Sequence, residues 1–359
     1  MSDKVLMKGN EAYAEAAILA GCRYYFGYPI TPQSEIPEYM SRELKKRGGV
    51  FFQAESELSS VNAAYGAAAA GGTVFVSSSS PGIALMQEGM SFLCSAEVPV
   101  TFLNVSRGGP GVGGIQPGQA DYYQCTRGGG NGDYHLLCFA PANIQEAVDI
   151  IYQAPALAEK YRNPVMVLAD GMMGQMMEPV ALPPQREMLK SEDIPQVRPW
   201  ALSGTAKGRR NVIKSLLLKP DELEAHVEDI FRKYAAMERD EVRFEASGLE
   251  DAEVVFVAFG TVARLVNETI ELLADKGVKA GLIRPITLWP FPYQAFDRID
   301  FTKTKRVISV ELSMGQLLTD VKMGVNGRAP VGLIHRTGGV VPTSLEVMER
   351  TIEQLKEVR

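Results

Sequence analysis

Residues that build metal and redox centres are scarce in this chain: its 359 residues include four cysteines and three histidines. Cys22, Cys94, Cys125 and Cys138 stand far apart, and none forms a C-x-x-C pair. Iron–sulfur and structural zinc sites usually rest on close pairs. The spacing therefore argues against a resident cluster or metal and predicts four buried, reduced thiols. A surplus of positive charge is absent too. The 37 Lys and Arg residues face 43 Asp and Glu, for a net charge of −6, which argues against a nucleic-acid groove. No apolar run reaches the roughly 20 residues that span a bilayer. The start, MSDKVLMKGNEAYAEAA, lacks the apolar stretch of a secretory signal. The expectation is a cytoplasmic protein that binds neither nucleic acid nor membrane. No Walker A loop, H-E-x-x-H or 20–50-residue repeat occurs either.

What is present is an ordinary globular balance, 46% hydrophobic and 22% charged, in a chain long enough for two or three domains. Strand and helix signals alternate over residues 1–178, from RYYFGYPI through VFFQA, GGTVFVSSSSPG and VPVTFLNVSR to NPVMVLAD. Such alternation predicts an α/β fold with a parallel sheet covered on both faces. Asn143 and Glu146 are spaced as a capping box for the helix NIQEAVDIIYQAPALAEKYR. Residues 179–250 read as a Pro-rich strap followed by one charged amphipathic helix, KPDELEAHVEDIFRKYAAMERDEVRFE. A second alternating α/β unit occupies 251–359, with TLWPFPYQAF read as a proline-punctuated turn.

Four stretches invite chemistry. In FFQAESELSSVNAAYGAAAAGG, helical spacing puts Glu57, Val61, Ala64 and Ala68 on one face. An acid thus heads an apolar stripe, and a buried, unpartnered carboxylate is costly. The bland alternative is an acid satisfying free N–H groups at a helix start. In GYPITPQSE, Thr31 falls at the carboxyl edge of the sheet, where α/β folds bind ligands, although threonine also caps helices. In NVSRGG, Arg107 takes a similar edge position beside a flexible loop and suits a carboxylate or phosphate; the alternative is a surface ion pair. In that loop, Gly109-x-Gly111-x-x-Gly114 matches a dinucleotide fingerprint, but Pro117 and further glycines oppose the helix the motif needs. Asp133 in GGGNGDYHLL is followed by Tyr134 and reads as a turn residue.

Taken together, GYPITPQSE, QAESELSSVNAAYGAAAAG, NVSRGGPG and LWPFP give the chain a resemblance to the alpha-type subunits of the 2-oxoacid:ferredoxin oxidoreductases. The resemblance covers almost the whole length. It is nearest the branched-chain 2-oxoisovalerate (3-methyl-2-oxobutanoate) enzymes, with the 2-oxoglutarate enzymes as the alternative. It implies a thiamine-diphosphate pyrimidine-type domain followed by a transketolase-C-terminal-like domain. It also implies decarboxylation of a 2-oxoacid to an acyl-coenzyme A, with electrons passed to ferredoxin. Partners follow from the same resemblance: a beta-type subunit supplying the Mg²⁺ and diphosphate ligands, a gamma-type subunit, and a ferredoxin-like subunit holding the iron–sulfur clusters. By the resemblance, Glu57 bonds N1′ of the cofactor's aminopyrimidine and promotes removal of the C2 proton. Thr31 lies near the reaction centre and substrate, and Arg107 pairs with the substrate carboxylate or coenzyme A. Pro29, Ile30 and Ser80 line the cofactor site. Ser78 to Pro81 fall on a corresponding edge loop, where plain loop chemistry is the competing account. Glu311 and Gln316 in VELSMGQ read as structural. Two further readings compete: a non-catalytic scaffold with a degenerate thiamine fold, and a nicotinamide-dependent oxidoreductase using the Gly109–Gly114 loop.

Overall fold

The computed structural model describes residues 4–202, 204 and 210–357; part of the strap and both chain ends lie outside them. The first unit opens with β1 (Val5–Lys8), α1 (Gly9–Leu19), β2 (Tyr24–Gly27), α2 (Glu35–Glu43), β3 (Val50–Gln53), α3 (Glu57–Ala69), β4 (Val74–Ser78) and α4 (Ser80–Ser95). It continues through β5 (Thr101–Ser106), α5 (Tyr122–Thr126), β6 (Leu137–Phe139), α6 (Ile144–Tyr161), β7 (Val165–Asp170), α7 (Gly171–Gln175) and β8 (Met177–Val180). The strap carries a short helix, α8 (Ile194–Val197), and leads to the long α9 (Pro220–Asp240). The second unit holds β9 (Phe244–Ser247), β10 (Val254–Val257), α10 (Gly260–Ala274), β11 (Ala280–Pro285), β12 (Thr287–Trp289), β13 (Arg306–Glu311), α11 (Gln316–Val325), β14 (Val331–His335) and α12 (Ser344–Lys356).

The main sheet runs β12-β6-β7-β5-β4-β2-β3. Its strands are parallel except for β12, which pairs antiparallel with β6. Every residue of β4, β5 and β7 is buried, as expected of parallel strands covered on both faces. The second sheet runs β14-β13-β10-β11-β9, with β9 antiparallel to β11. A continuous buried core runs through both units, and a smaller one serves the second sheet. All four cysteines are free and buried. Among the described residues, no helix is long and apolar enough to cross a membrane.

Several elements depart from the sequence reading. The charged helix stops at Asp240, and the residues after Glu241 turn into β9. The stretch LWPFP is more than a turn, because its Trp289 ends β12 and completes the first sheet. Helix α4 begins inside the serine run, with Ser79 as its N-cap residue. The capping box is shifted: Asn143 accepts from Glu146 N at 2.8 Å, but Glu146 reaches back to Ala142 N at 2.7 Å. The freed face of that carboxylate takes the guanidinium of Arg284 in a two-point contact at 2.9 Å.

Candidate active site

Strands β3, β2, β4 and β5 are neighbours, and their carboxyl ends bring four of the singled-out segments to one edge. Glu57 is the first residue of α3, just after the N-cap Ser56, whose hydroxyl accepts from Ser59 N at 3.2 Å. It is 5% exposed, and Val61, Ala64 and Ala68 below it are fully buried. Glu55 is exposed. The stripe therefore faces inward with its acid at the head. It packs on α4 through absent side chains. A Cβ on Gly89 would lie 2.6 Å from Val61, and one on Gly82 would lie 2.5 Å from Glu57 Oε1 and overlap the Ser78 hydroxyl. Gly82 thus makes room for the carboxylate. Among the described residues, no side-chain hydrogen bond or ion pair is formed by Glu57, and the buried hydroxyls of Ser78 and Ser79 lack partners. Two buried hydroxyls without partners and a carboxylate that no side chain bonds are polar groups left available to a ligand.

Thr31 is exposed in the loop after β2, with Pro29 exposed and Ile30 half-buried before it. Arg107, just past β5, is buried. Its guanidinium donates to Thr31 O at 2.6 Å and to Val112 O at 2.8 Å. It forms no ion pair among the described residues, so the surface ion-pair account does not hold. Arg107 clamps two loops by their carbonyls while its charge stays free of a contacting carboxylate.

One acid escaped the sequence reading. Asp121, which precedes α5, is buried and accepts from Ser80 Oγ at 2.5 Å and Asn104 Nδ2 at 2.9 Å. Burial raises its pKa, against the hydrogen bonds and the nearby Arg107 charge. Ser80 Oγ in turn accepts from Arg107 N at 2.9 Å. Ser80 is therefore tied to the scaffold, and its neighbours Ser78 and Ser79 carry the free hydroxyls. The only signal for Asp121 in the sequence was an acid in the run QADYYQ behind a Gly-rich loop.

Beside Thr31 opens a cavity of about 710 Å³. Ile115, Pro117, Met172, Met176 and Val341 supply most of its apolar wall. Among the described residues, no lysine or arginine lines it. Its one carboxylate, Glu35, is held by Lys8, Asn10 and Gln175. A smaller cavity of about 170 Å³ adjoins it through Met172, Met176 and Val341. Arg264 lines that one and pairs with Glu178 at 2.7 Å.

The remaining motifs are structural. The Gly109–Gly114 stretch is a closed loop, with Gly108 N bonded to Gln116 O and Gly114 N to Gly108 O at 2.8 Å each. No helix starts within it; α5 begins at Tyr122. Asp133 is exposed, as a turn residue is expected to be. Glu311 caps α11 by accepting from Leu317 N and Leu318 N at 3.0 Å. Gln316 bridges the units, donating to Ala120 O at 2.7 Å and accepting from Tyr123 N at 2.8 Å.

Comparison with known proteins identifies the family of the chain. A family described as pyruvate flavodoxin/ferredoxin oxidoreductase, thiamine diphosphate-binding, matches residues 15–245. Pyruvate:ferredoxin oxidoreductase core domain II matches residues 252–347. The chain is 44% identical to the ketoisovalerate oxidoreductase subunit VorB of Methanothermobacter thermautotrophicus, over 97% of each chain. It is 36% identical to the 2-oxoglutarate synthase subunit KorA of Methanocaldococcus jannaschii, over 95% of this chain and 97% of that one. Among solved structures, the 2-oxoglutarate:ferredoxin oxidoreductase from Magnetococcus marinus, with 2-oxoglutarate, coenzyme A and succinyl-CoA bound, superposes with a TM-score of 0.85. That match has 26% identity and covers 99% of this chain and 66% of that one. A split-gene transketolase matches at a TM-score of 0.60 and 14% identity, a likeness of fold alone. With the thiamine-binding segment followed by core domain II, and with a relative 44% identical over 97% of each chain, the chain belongs to the 2-oxoacid:ferredoxin oxidoreductases, as an alpha-type subunit.

Proposed function

We propose that this subunit supplies the pyrimidine side of a shared thiamine diphosphate site that oxidises a branched-chain 2-oxoacid, 2-oxoisovalerate, to an acyl-coenzyme A, CO₂ and reduced ferredoxin. The observation that carries the reading is Glu57: buried at the head of α3, without a side-chain partner, and facing a glycine that leaves it space. Thiamine diphosphate held there would supply the carbon nucleophile and the electron sink that decarboxylation of a 2-oxoacid needs. Glu57 holds a proton at the aminopyrimidine N1′. The dry wall formed by Val61 and α4 keeps water from competing for that proton. Ser78 and Ser79 have hydroxyls free to orient the ring, and Pro29 and Ile30 border it. Thr31 presents its side chain to the substrate. Arg107 fixes the Thr31 loop, and its unpaired charge favours a carboxylate nearby, from the 2-oxoacid or from coenzyme A.

The substrate assignment draws on the cavity beside Thr31. Ile115, Pro117, Met172, Met176 and Val341 give it an apolar side, and the charged group among its described lining residues is Glu35, already paired with Lys8; that side suits an isopropyl chain. A distal carboxylate, as in 2-oxoglutarate, would need a free cation, and among the described lining residues there is none; the nearby Lys8 is paired with Glu35. The Mg²⁺–diphosphate end is assigned to a beta-type subunit, the iron–sulfur clusters to a ferredoxin-like subunit, and a gamma-type subunit completes the assembly in the cytoplasm.

Glu57→Gln in the assembled complex tests the reading. Glutamine keeps the shape but has no acidic proton to share. Deuterium exchange at C2 of bound thiamine should slow by about 10²–10⁴, the usual scale for losing acid–base help. Ferredoxin reduction should fall in parallel, with assembly intact. Glu55→Gln, on the exposed side, should leave exchange near the parent rate. If Glu57→Gln exchanges at the parent rate, the stripe is only packing and the proposal fails.

A further inference from the structure

The loop between β14 and α12 belongs to the second unit, yet its Gly339 and Val341 line the cavity beside Thr31. It meets the loop after Arg107 backbone to backbone. A Cβ on Gly108 would lie 3.1 Å from the Gly338 carbonyl carbon and 3.2 Å from Gly339 N, and one on Gly339 would overlap Gln116 Cβ. Gly338 and Gly339 also have φ of +66° and +96°, a conformation that side chains disfavour. The segment is thus shaped to lie flat on the Arg107 loop. Just beyond the two glycines, Val341 is half-buried where the 710 Å³ and 170 Å³ cavities join, alongside Met172 and Met176.

The wall is held in place. Thr261 donates to Asp170 at 2.5 Å, next to Gly171 and Met172 of the cavity. Gln119, after the Gly-rich loop, donates to Phe259 O at 2.9 Å and accepts from Leu312 N at 3.0 Å. These buried bonds fix the second unit against the segment that carries Arg107. A β-branched side chain on a fixed wall is a steric gauge, since it has little rotamer freedom with which to yield.

We infer that the Thr337–Val341 loop of the second unit is a specificity-determining wall of the 2-oxoacid pocket, with Val341 packing against the substrate's branched chain. The inference rests on the proposed 2-oxoacid reading and adds to the second unit a role in choosing the acid.

The test uses the assembled complex and kcat/KM for pyruvate, 2-oxoisovalerate and 4-methyl-2-oxopentanoate. Val341→Ala deepens the pocket, so 4-methyl-2-oxopentanoate should gain on 2-oxoisovalerate by about tenfold, the lower end of what one methylene commands. Val341→Phe narrows it at that wall, so pyruvate should gain on 2-oxoisovalerate by a similar factor. A loop with a merely structural role would lower all three acids together and leave the ratios unchanged. Unmoved ratios in both variants, with the parent complex active, overturn the inference and leave the functional reading intact. A parent complex that turns over no 2-oxoacid overturns both.

Discussion

Gly82 shows how little room the site allows at the scale of single residues. Alanine there would place a methyl 2.5 Å from Glu57 Oε1 and on top of the Ser78 hydroxyl. Helix propensity favours alanine by about 1 kcal/mol, and overpacking costs about 1–3 kcal/mol. The balance is a net cost of up to about 2 kcal/mol, and the displaced carboxylate does not recover its place. Gly82→Ala should therefore stay folded, with a denaturant midpoint lowered by no more than that cost implies, while thiamine C2 exchange falls at least tenfold. A variant with parent exchange would show that the space beside Glu57 is idle. The choice between Glu57 and Glu55 was legible from helical spacing alone, because one face of α3 is apolar below its acid. Asp121 and the orphaned hydroxyls of Ser78 and Ser79 were not legible. Their significance lies in who fails to bond whom across β4, β5 and the following loop, and no local pattern records that. Arg107 was legible as an edge residue, but its two carbonyl partners, Thr31 and Val112, depend on how the loops close.

Among the elements, the long buried strands and periodic helices followed their patterns, whereas β1, β8, β9 and β12 did not announce themselves. Each has only three or four residues and pairs antiparallel, outside the strand–helix alternation that marks the equally short β2 and β3, and prolines stand in β8 and just beyond β12. Such strands form because a partner edge awaits them, so their cause lies elsewhere in the chain. Strand β12 also explains His135. That ring stacks on Trp289 at 4.4 Å between centroids and meets Tyr234 of α9 edge-on at 5.4 Å. Burial, aided by the charge of Arg127, lowers its pKa. As pH falls, the unfolded chain takes up the proton first. The contribution of His135 to stability is therefore complete above its ordinary pKa of about 6.5 and is lost as pH falls through the lower folded value. His135→Phe keeps a stacked ring without a titrating group. The difference in unfolding free energy between parent and variant should change between pH 7 and pH 5, with the parent losing more. Parallel pH profiles for the two proteins would contradict this.

For the whole molecule, the joint between the units matters most. Gln119 is 2% exposed, and its side chain satisfies a carbonyl and an amide of the second unit. Tyr122 donates to Asp320 at 2.7 Å, and Arg127 pairs with the same acid at 2.8 Å. Gln119→Leu would leave Phe259 O and Leu312 N without their partners. Buried unsatisfied groups cost about 1–3 kcal/mol each, so the denaturant midpoint should fall by a corresponding amount. The variant should still unfold in one transition, because the core is continuous across the units. A split into two transitions would mean that Gln119 alone couples them. The two α/β units were legible from the alternation along the chain; their joint was not, because it pairs residues about 140 to 200 positions apart.

Strand β12 also bears on how such a chain can be inherited. The family matches divide it near residue 250, with 15–245 in one segment and 252–347 in the other. Its first sheet ignores that division and takes its outermost strand from residues 287–289. A gene broken between the matched segments would give one product an open β6 edge and the other a strand with no sheet to join. The piece that can be moved, fused or traded as a folded whole is therefore larger than either segment that sequence similarity delimits.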